Sequence, residues 1–134
     1  MKRIAIEEFY NLPYEEMKCI TMMGFKEVII NDDNSLSLPL HTNSNHMNLH
    51  GTIQGGIQYL ICDTALGAYL IHIGRPAVGM NGSIQNYRPA MEGDTLTATV
   101  HERKIGRRTG NFLIELRDQN NKLIADCHYS VMFT

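Results

Sequence analysis

The residues best suited to chemistry lie together near the middle of the chain. The segment Asn48–Gly56 reads Asn-Leu-His-Gly-Thr-Ile-Gln-Gly-Gly, and Asp63 follows among Ile, Cys, Ala and Leu. A carboxylate against an apolar wall can act as a nucleophile or general base, because desolvation raises its basicity. Glycines such as Gly55 at a helix start let a carbonyl approach free backbone N–H groups, which stabilise an oxyanion. The pattern favours reaction at a carbonyl group.

The same residues also allow a structural interpretation. Gly55 and Gly56 could serve close packing, and Asp63 could cap a helix or form a salt bridge. Against this, a glycine inside a helix destabilises it by roughly 0.5–1 kcal/mol relative to alanine. Ionised acids are also rarely buried without a partner. The residue types alone leave both interpretations open.

The elements that would position these residues follow from the hydrophobic periodicity. Residues 51–73 are the one long helical candidate, and apolar residues cover nearly its whole circumference, which is typical of a buried helix. From residue 77 onward the period changes to two, and short turns at 105–107 and 119–121 predict antiparallel pairing. The strands predicted there are 77–87, 95–101, 112–116 and 123–133.

The N-terminal part completes the predicted domain. A short helix is expected from Pro13 to about Met23, followed by strands at 25–30 and 35–38. Helices do not alternate with strands, which excludes a parallel α/β fold. The prediction is a single α+β domain over residues 1–134, with residues 1–24 as a helical extension. Its antiparallel β-sheet wraps around one long central α-helix, and the strands after that helix form a meander.

Composition excludes several classes of protein. With 43% hydrophobic and 19% charged residues the chain is globular, and its net charge of −2 gives no bias toward nucleic acid or membrane surfaces. Its longest apolar stretch is too interrupted for a membrane span, and the N-terminus does not resemble a signal peptide. The cysteines are too few and too widely spaced for a disulfide framework, which favours a cytoplasmic location. They are Cys19, Cys62 and Cys127.

The central segment resembles the signature of the phenylacetate-degradation (PaaI-like) acyl-CoA thioesterases of the hotdog superfamily. That signature has an Asn, a Gly-Thr pair, a His-Gly-Gly or Gln-Gly-Gly triplet, and an Asp nine residues beyond the His or Gln. At those spacings this chain has Asn48, Gly51-Thr52, Gln54-Gly55-Gly56 and Asp63. Further likeness in Asn86–Ala90, Gly93-Asp94 and Lys104–Thr109 extends the coverage to about residues 25–133.

This resemblance implies a hotdog fold and hydrolysis of a small or medium acyl-CoA or aryl-CoA thioester. Asp63 would attack the thioester or activate water, and the N–H of Gly55 would polarise its carbonyl. Asn48 and Gln54 would position the substrate. Further substrate-binding candidates are Gly56, Asn81 and Arg88. No cofactor is expected, because coenzyme A is part of the substrate.

Two positions depart from the family pattern. Gln54 stands where many relatives have His, and because Gln cannot supply a proton, Asp63 alone keeps the acid/base role. Gly79 stands where some relatives have a water-holding Ser or Thr, with Asn81 and Ser83 as nearby substitutes. Two alternatives therefore stay open: a non-catalytic acyl-CoA-binding protein, and a hotdog dehydratase or hydratase acting on 3-hydroxyacyl thioesters.

The spacing of Gln54 and Asp63 predicts a site shared by two subunits. Nine residues of one helix span about 13–14 Å and half a rotation, so these side chains cannot meet on one substrate within one chain. A two-fold homodimer would form two such sites, and further pairing into a homotetramer is left open.

Two other clusters are candidates for binding. A local concentration of cations could recognise coenzyme A phosphates, or could be a solvated hairpin tip. Its residues are Arg88, Lys104, Arg107 and Arg108. The spacings of His41, His46 and His50 match no standard zinc pattern, so no metal site is expected.

Overall fold

Seven strands form one antiparallel sheet in the order β1-β2-β3-β5-β6-β7-β4. The computed structural model describes all 134 residues. The strands are β1 (Lys2–Ala5), β2 (Glu27–Ile30), β3 (Leu36–His41), β4 (Ala77–Asn86), β5 (Thr95–Ile105), β6 (Thr109–Arg117) and β7 (Leu123–Phe133). The helices are α1 (Ile6–Tyr10), α2 (Lys18–Met23) and α3 (Gly55–His72). None of them combines the length and the apolar character needed to cross a bilayer.

The core lies between α3 and the sheet, and α3 contacts β3, β4, β5, β6 and β7. Alternate strand residues point inward, so the period-two pattern of the sequence becomes a buried apolar face. Its fully buried members in β5 and β6 include Leu96, Ala98, Ile114 and Leu116. The predicted combination of an antiparallel sheet with one long helix is confirmed.

The long helix begins four residues later than predicted, at Gly55 instead of Gly51. Gly51 has a φ of +85°, which is incompatible with a right-handed helix. Ile53 instead forms a β-bridge with Met47. Residues 51–53 therefore belong to a loop that leads into α3.

The N-terminal residues 1–24 are not the purely helical extension that was predicted. Lys2–Ala5 pairs with β2 as an edge strand of the main sheet. The helix expected from Pro13 to Met23 is divided, because Met17 has a non-helical ψ of 63° between the 3₁₀ turn Tyr14–Glu16 and α2.

The last four strands are not a simple meander. β5, β6 and β7 pair in succession as predicted, but β4 pairs with β7 along its whole length instead of with β5. β4 therefore forms an edge of the sheet, and its other side has no partner in the chain.

α3 buries only one of its sides within a single chain. Ile61 and Cys62 are fully buried, whereas Gly56, Gly67 and Ile71 are exposed. The expectation of a helix buried all round is therefore not met by one chain. The uncovered side of α3 and the free edge of β4 are both surfaces without a partner.

Candidate active site

Asn48 organises the loop that leads into α3. Its Oδ1 accepts hydrogen bonds from the backbone N–H groups of His50, at 2.8 Å, and Thr52, at 3.1 Å. Its Nδ2 donates to Oγ1 of Thr52 at 2.8 Å. The loop is further fixed where the N–H of Gln54 donates to the carbonyl of His46 at 3.0 Å. Asn48 therefore contributes to the site by holding the backbone that positions Gln54.

The first turn of α3 presents free donors. The N–H groups of Ile57 and Gln58 bond to the carbonyl of Gln54, whose side chain makes no capping bond. The N–H groups of Gly55 and Gly56 donate to no backbone acceptor, since they precede the first helical bond. These donors lie at the positive end of an 18-residue helix. The arrangement suits an oxygen that carries or develops negative charge.

Two cavities flank this helix start. One, of about 480 Å³, is lined by Asn48, His50, Gln54 and Ile57 among others. The other, of about 290 Å³, is lined by residues that include Gly55, Gln58, Asn86 and Arg88. Between α3 and β4, the buried Gln58 donates a hydrogen bond to Oδ1 of Asn86 at 2.6 Å. The structure thus gathers the predicted Asn48, Gln54, Gly55 and Arg88 at one end of α3.

Asp63 lies two turns further along α3 and lines neither of these cavities. It is half-buried, and its neighbours include Tyr59 on its own helix and Tyr129 on β7. Burial raises the pKa of Tyr129, and the Asp63 carboxylate raises it further. A single chain therefore does not bring Asp63 together with Gln54 and Gly55.

Tyr129 fills the space beside Gly79, the position where some relatives have Ser or Thr. A Cβ atom at Gly79 would lie 2.8 Å from the Tyr129 hydroxyl oxygen. In the β4–β7 register Gly82 pairs with Tyr129 and Asn81 with Ser130, so Asn81 points to the opposite face of the sheet. Ser83 pairs with His128 and lies on the same face as Asn81, so the suggested water-holding role of these two residues stays a prediction.

The predicted basic cluster is divided between the two ends of α3. Arg88 lies at its N-terminal end, beside Gly55. The β5–β6 turn lies at its C-terminal end, because Arg75, just beyond α3, donates to the carbonyls of Gly106 and Arg107 at 3.3 and 3.2 Å. Lys104, near the end of β5, and Arg107 and Arg108, in the turn, have exposed side chains.

His46 has a structural role in the same loop. It is buried, its Nδ1 accepts from the N–H of Asn43 at 3.0 Å, and its Nε2 bonds to the carbonyl of Met23 at 2.9 Å. Both ring nitrogens are thus used within the chain, while His41 bonds to Thr95 at 2.9 Å.

Comparison with known proteins decides the family. Residues 50–125, more than half of the chain, match the family described as the thioesterase superfamily. The chain belongs to the thioesterase superfamily. This thioesterase is 31% identical over 112 residues to the acyl-coenzyme A thioesterase PaaI of Escherichia coli K12, spanning 84% of its own chain and 79% of that protein.

Solved structures support the same conclusion. The thioesterase matches the E. coli PaaI protein with a TM-score of 0.82 at 29% identity, over 90% of its chain and 87% of that one. A variant of the PaaI protein of Thermus thermophilus gives a TM-score of 0.78 at 26% identity, over 86% and 97%. The predicted hotdog fold, PaaI-like family and thioester hydrolase class are confirmed.

Tyr59 and Tyr129 are neighbours of Asp63 that sequence reasoning missed. Their signal was indirect, since a glycine inside a strand often marks the close approach of another group. β4 has two such glycines, Gly79 and Gly82, and both lie against these phenols.

The substitution Gly55→Ala tests whether the free N–H group at the start of α3 contributes to hydrolysis. An added Cβ would meet only Nδ2 of Asn86, at an ordinary 3.6 Å. Gly55→Ala should therefore leave the free energy of unfolding unchanged or raise it by up to about 1 kcal/mol. Thioester hydrolysis should fall at least about tenfold, because the methyl group obstructs approach to the N–H. Urea denaturation and steady-state kinetics measure the two effects, and full turnover in the folded variant would exclude this N–H from the mechanism.

Proposed function

We propose that this thioesterase hydrolyses a small or medium acyl-CoA or aryl-CoA thioester, with Asp63 as nucleophile or general base. The observation that carries the proposal is the free N–H of Gly55 at the positive end of α3. Such a donor stabilises the oxyanion that forms when a thioester carbonyl is attacked. The likeness to the E. coli acyl-coenzyme A thioesterase supports coenzyme A as the thiol part of the substrate.

In this mechanism Asp63 either attacks the thioester carbon itself or takes a proton from an attacking water. The carbonyl oxygen becomes an oxyanion held by the N–H of Gly55, and the carbon–sulfur bond then breaks. In the general-base route Asp63 returns its proton to the leaving thiolate. After direct attack the thiolate takes a proton from solvent, and water then hydrolyses the acyl–Asp63 anhydride to the free acid and the Asp63 carboxylate. A dehydratase usually pairs a His with the acid, and the position expected for that His is Gln54 in this chain, which cannot supply a proton.

A second copy of the chain would bring the separated groups together. The uncovered side of α3 includes Gly56 and Gly67, and an added Cβ at either would meet nothing within 4 Å. Packing inside the chain therefore does not explain these glycines, whereas close approach of a partner helix does. The unpaired backbone N–H and C=O groups along the free edge of β4 could form hydrogen bonds with the same partner.

The geometry of these two surfaces favours one two-fold axis. Residue 59 lies midway between Gly55 and Asp63, and the midpoint of β4 lies between Asn81 and Gly82. These two places are in contact, because a Cβ at Gly82 would collide with the hydroxyl of Tyr59. An axis through them pairs both elements antiparallel and carries Gly55 of one chain toward Asp63 of the other.

The same symmetry would explain why the basic residues of one chain lie at opposite ends of α3. In an antiparallel helix pair the C-terminal end of one α3 lies beside the N-terminal part of the other. The β5–β6 turn of one subunit would then approach Arg88 of its partner, and together they would bind the coenzyme A phosphates. The free thiols Cys19, Cys62 and Cys127 suit the proposed cytoplasmic location.

Asp63→Asn tests the central role directly. The change keeps the shape of the side chain and removes its charge, so hydrolysis of a panel of acyl-CoA and aryl-CoA thioesters should fall by at least about 10²–10⁴. Asp118→Asn is a matched control, because Asp118 only caps the β6–β7 turn through Oδ1, which Asn retains. Near-normal hydrolysis by Asp63→Asn would rule out its catalytic role. Conversion of a 3-hydroxyacyl-CoA to the enoyl-CoA by the unmodified protein would favour a dehydratase.

Mixed dimers test the shared site. Asp63→Asn and Gly55→Ala chains, denatured together in equal amounts and refolded, should form about half mixed dimers, each with one intact site of two. Activity should rise above either parent, to about a quarter of the wild-type value. If both residues served one chain's site, mixing would restore nothing, even with mixed dimers demonstrated by mass spectrometry.

Charge reversal at the β5–β6 turn tests recognition of the nucleotide. Arg107 and Arg108 contribute only backbone carbonyls to the fold, so changing both to Glu should leave stability intact. The KM for acyl-CoA should rise several-fold more than kcat falls, because these contacts are remote from the reacting carbonyl. The kinetics with a pantetheine thioester, which lacks the nucleotide, should not change. The control variant Lys18→Glu with Lys122→Glu, which reverses two exposed charges elsewhere, should leave the KM for acyl-CoA unchanged. Equal losses on both substrates would indicate a structural role.

A further inference from the structure

Three polar side chains meet on the inner face of the sheet, around the middle of α3. Tyr59 and Asp63 are four residues apart on α3 and so lie on the same side of that helix. The Tyr129 ring of β7 packs against the Tyr59 ring, with the two centroids 6.1 Å apart, which places the Tyr129 phenol next to Asp63. A Cβ at Gly79 would lie 2.8 Å from the Tyr129 hydroxyl oxygen, and one at Gly82 would lie 2.9 Å from Cε2 of the same ring. β4 therefore lacks side chains at the two positions that these phenols occupy.

Packing alone does not explain this arrangement. Glycine weakens a strand, and β4 also carries an irregularity in its pairing between Gly79 and Asn81. A phenylalanine at position 129 would fill the same apolar space without a polar atom. What requires an explanation is the Tyr129 hydroxyl, which is half-buried and lies beside Asp63, the one acid on α3.

The protonation states fix the direction of the interaction. Two neighbouring thiols also interact with Asp63, Cys62 on α3 and Cys127 on β7, and the carboxylates of Asp63 and Asp126 raise the pKa of each. Burial is the larger cause in both, and it brings the pKa of Cys127 to about 11. The pKa of Tyr129 is raised as well, so these groups stay protonated near neutral pH. Because a carboxylate only accepts hydrogen bonds, the phenol must be the donor.

We propose that Tyr129 is a positioning residue of the thioesterase site. Its hydroxyl donates a hydrogen bond to one carboxylate oxygen of Asp63 and leaves the other oxygen for the substrate carbon or the attacking water. Tyr59 supports the Tyr129 ring from the preceding turn of α3, and the glycines of β4 make room for both. This inference rests on the proposed catalytic role of Asp63.

Tyr129→Phe removes only the hydroxyl and is the direct test. Loss of a hydrogen bond to a charged group should lower kcat about tenfold or more, while KM changes less than about twofold. Tyr14→Phe is the matched control, since Tyr14 is also hydrogen-bonded, to Lys26, but lies in the N-terminal region.

Gly79→Ala supplies a second, independent perturbation. The added methyl group would displace the Tyr129 hydroxyl and should lower kcat about as much as Tyr129→Phe does. In the double variant the oxygen that causes the closest contact is gone, so the two effects should be strongly non-additive. Additive losses would mean that Gly79 acts on something other than Tyr129.

The outcomes separate this inference from the proposed function. If Asp63→Asn is inactive and Tyr129→Phe keeps kcat within about twofold, Tyr129 has no positioning role and the proposed function stands. If Asp63→Asn is fully active, both the positioning role and the proposed function are excluded. An inactive Asp63→Asn together with a Tyr129→Phe that has a roughly tenfold lower kcat and a nearly unchanged KM supports both.

Discussion

The packing of α3 across the inner face of the sheet is the constraint on which the rest of the structure depends. The apolar side of α3 fills the space between the inward residues of β3, β5, β6 and β7, and this fixes its axis and rotation. The positions of the candidate site residues then depend on what that packing leaves uncovered. The donors of Gly55 face one end, the cations of the β5–β6 turn lie at the other, and Asp63 lies between them.

The loop before α3 is the second determinant, because it decides where the helix begins. The loop stays non-helical up to Gln54. It is held there by the hydrogen bonds of Asn48, the positive φ of Gly51 and the bridge between Met47 and Ile53. As a result the first helical N–H groups are those of glycines, which shield them least. Asn48, which suggests a substrate contact in the sequence, therefore holds the backbone of this loop in the folded chain.

Much of the fold was predictable from the sequence, because periodicity reports directly on burial. Alternation in β5, β6 and β7 and the long apolar helix were read correctly, while the start of α3 was misjudged because hydrophobicity says nothing about the positive φ of Gly51. The position of β4 beside β7 could not be read, since short turns indicate pairing only between strands that follow one another. The strand at Lys2–Ala5 is too short for a periodic signal.

The residues of the candidate site that are close together in the sequence were predictable, whereas those brought in by tertiary packing were not. Gln54, Gly55 and Asp63 stand out by type and spacing, and the nine-residue separation already implied that they do not meet in one chain. Tyr129 is 66 residues further along than Asp63 and has an ordinary place in an alternating strand. Only the packing of β7 on α3 reveals that its hydroxyl lies beside an acid.

The placement of β4 at the sheet edge also has a consequence for the order of folding. β5, β6 and β7 are joined by short turns, so their contacts are local and require little loop closure. β4 must find β7 across the intervening β5–β6 region, and its two glycines give it little intrinsic preference for an extended conformation. It follows that β4 docks late, onto a surface already formed by β7 and α3. We therefore expect the surroundings of Asp63 to be completed only in the last stage of folding, after the hydrophobic core has formed.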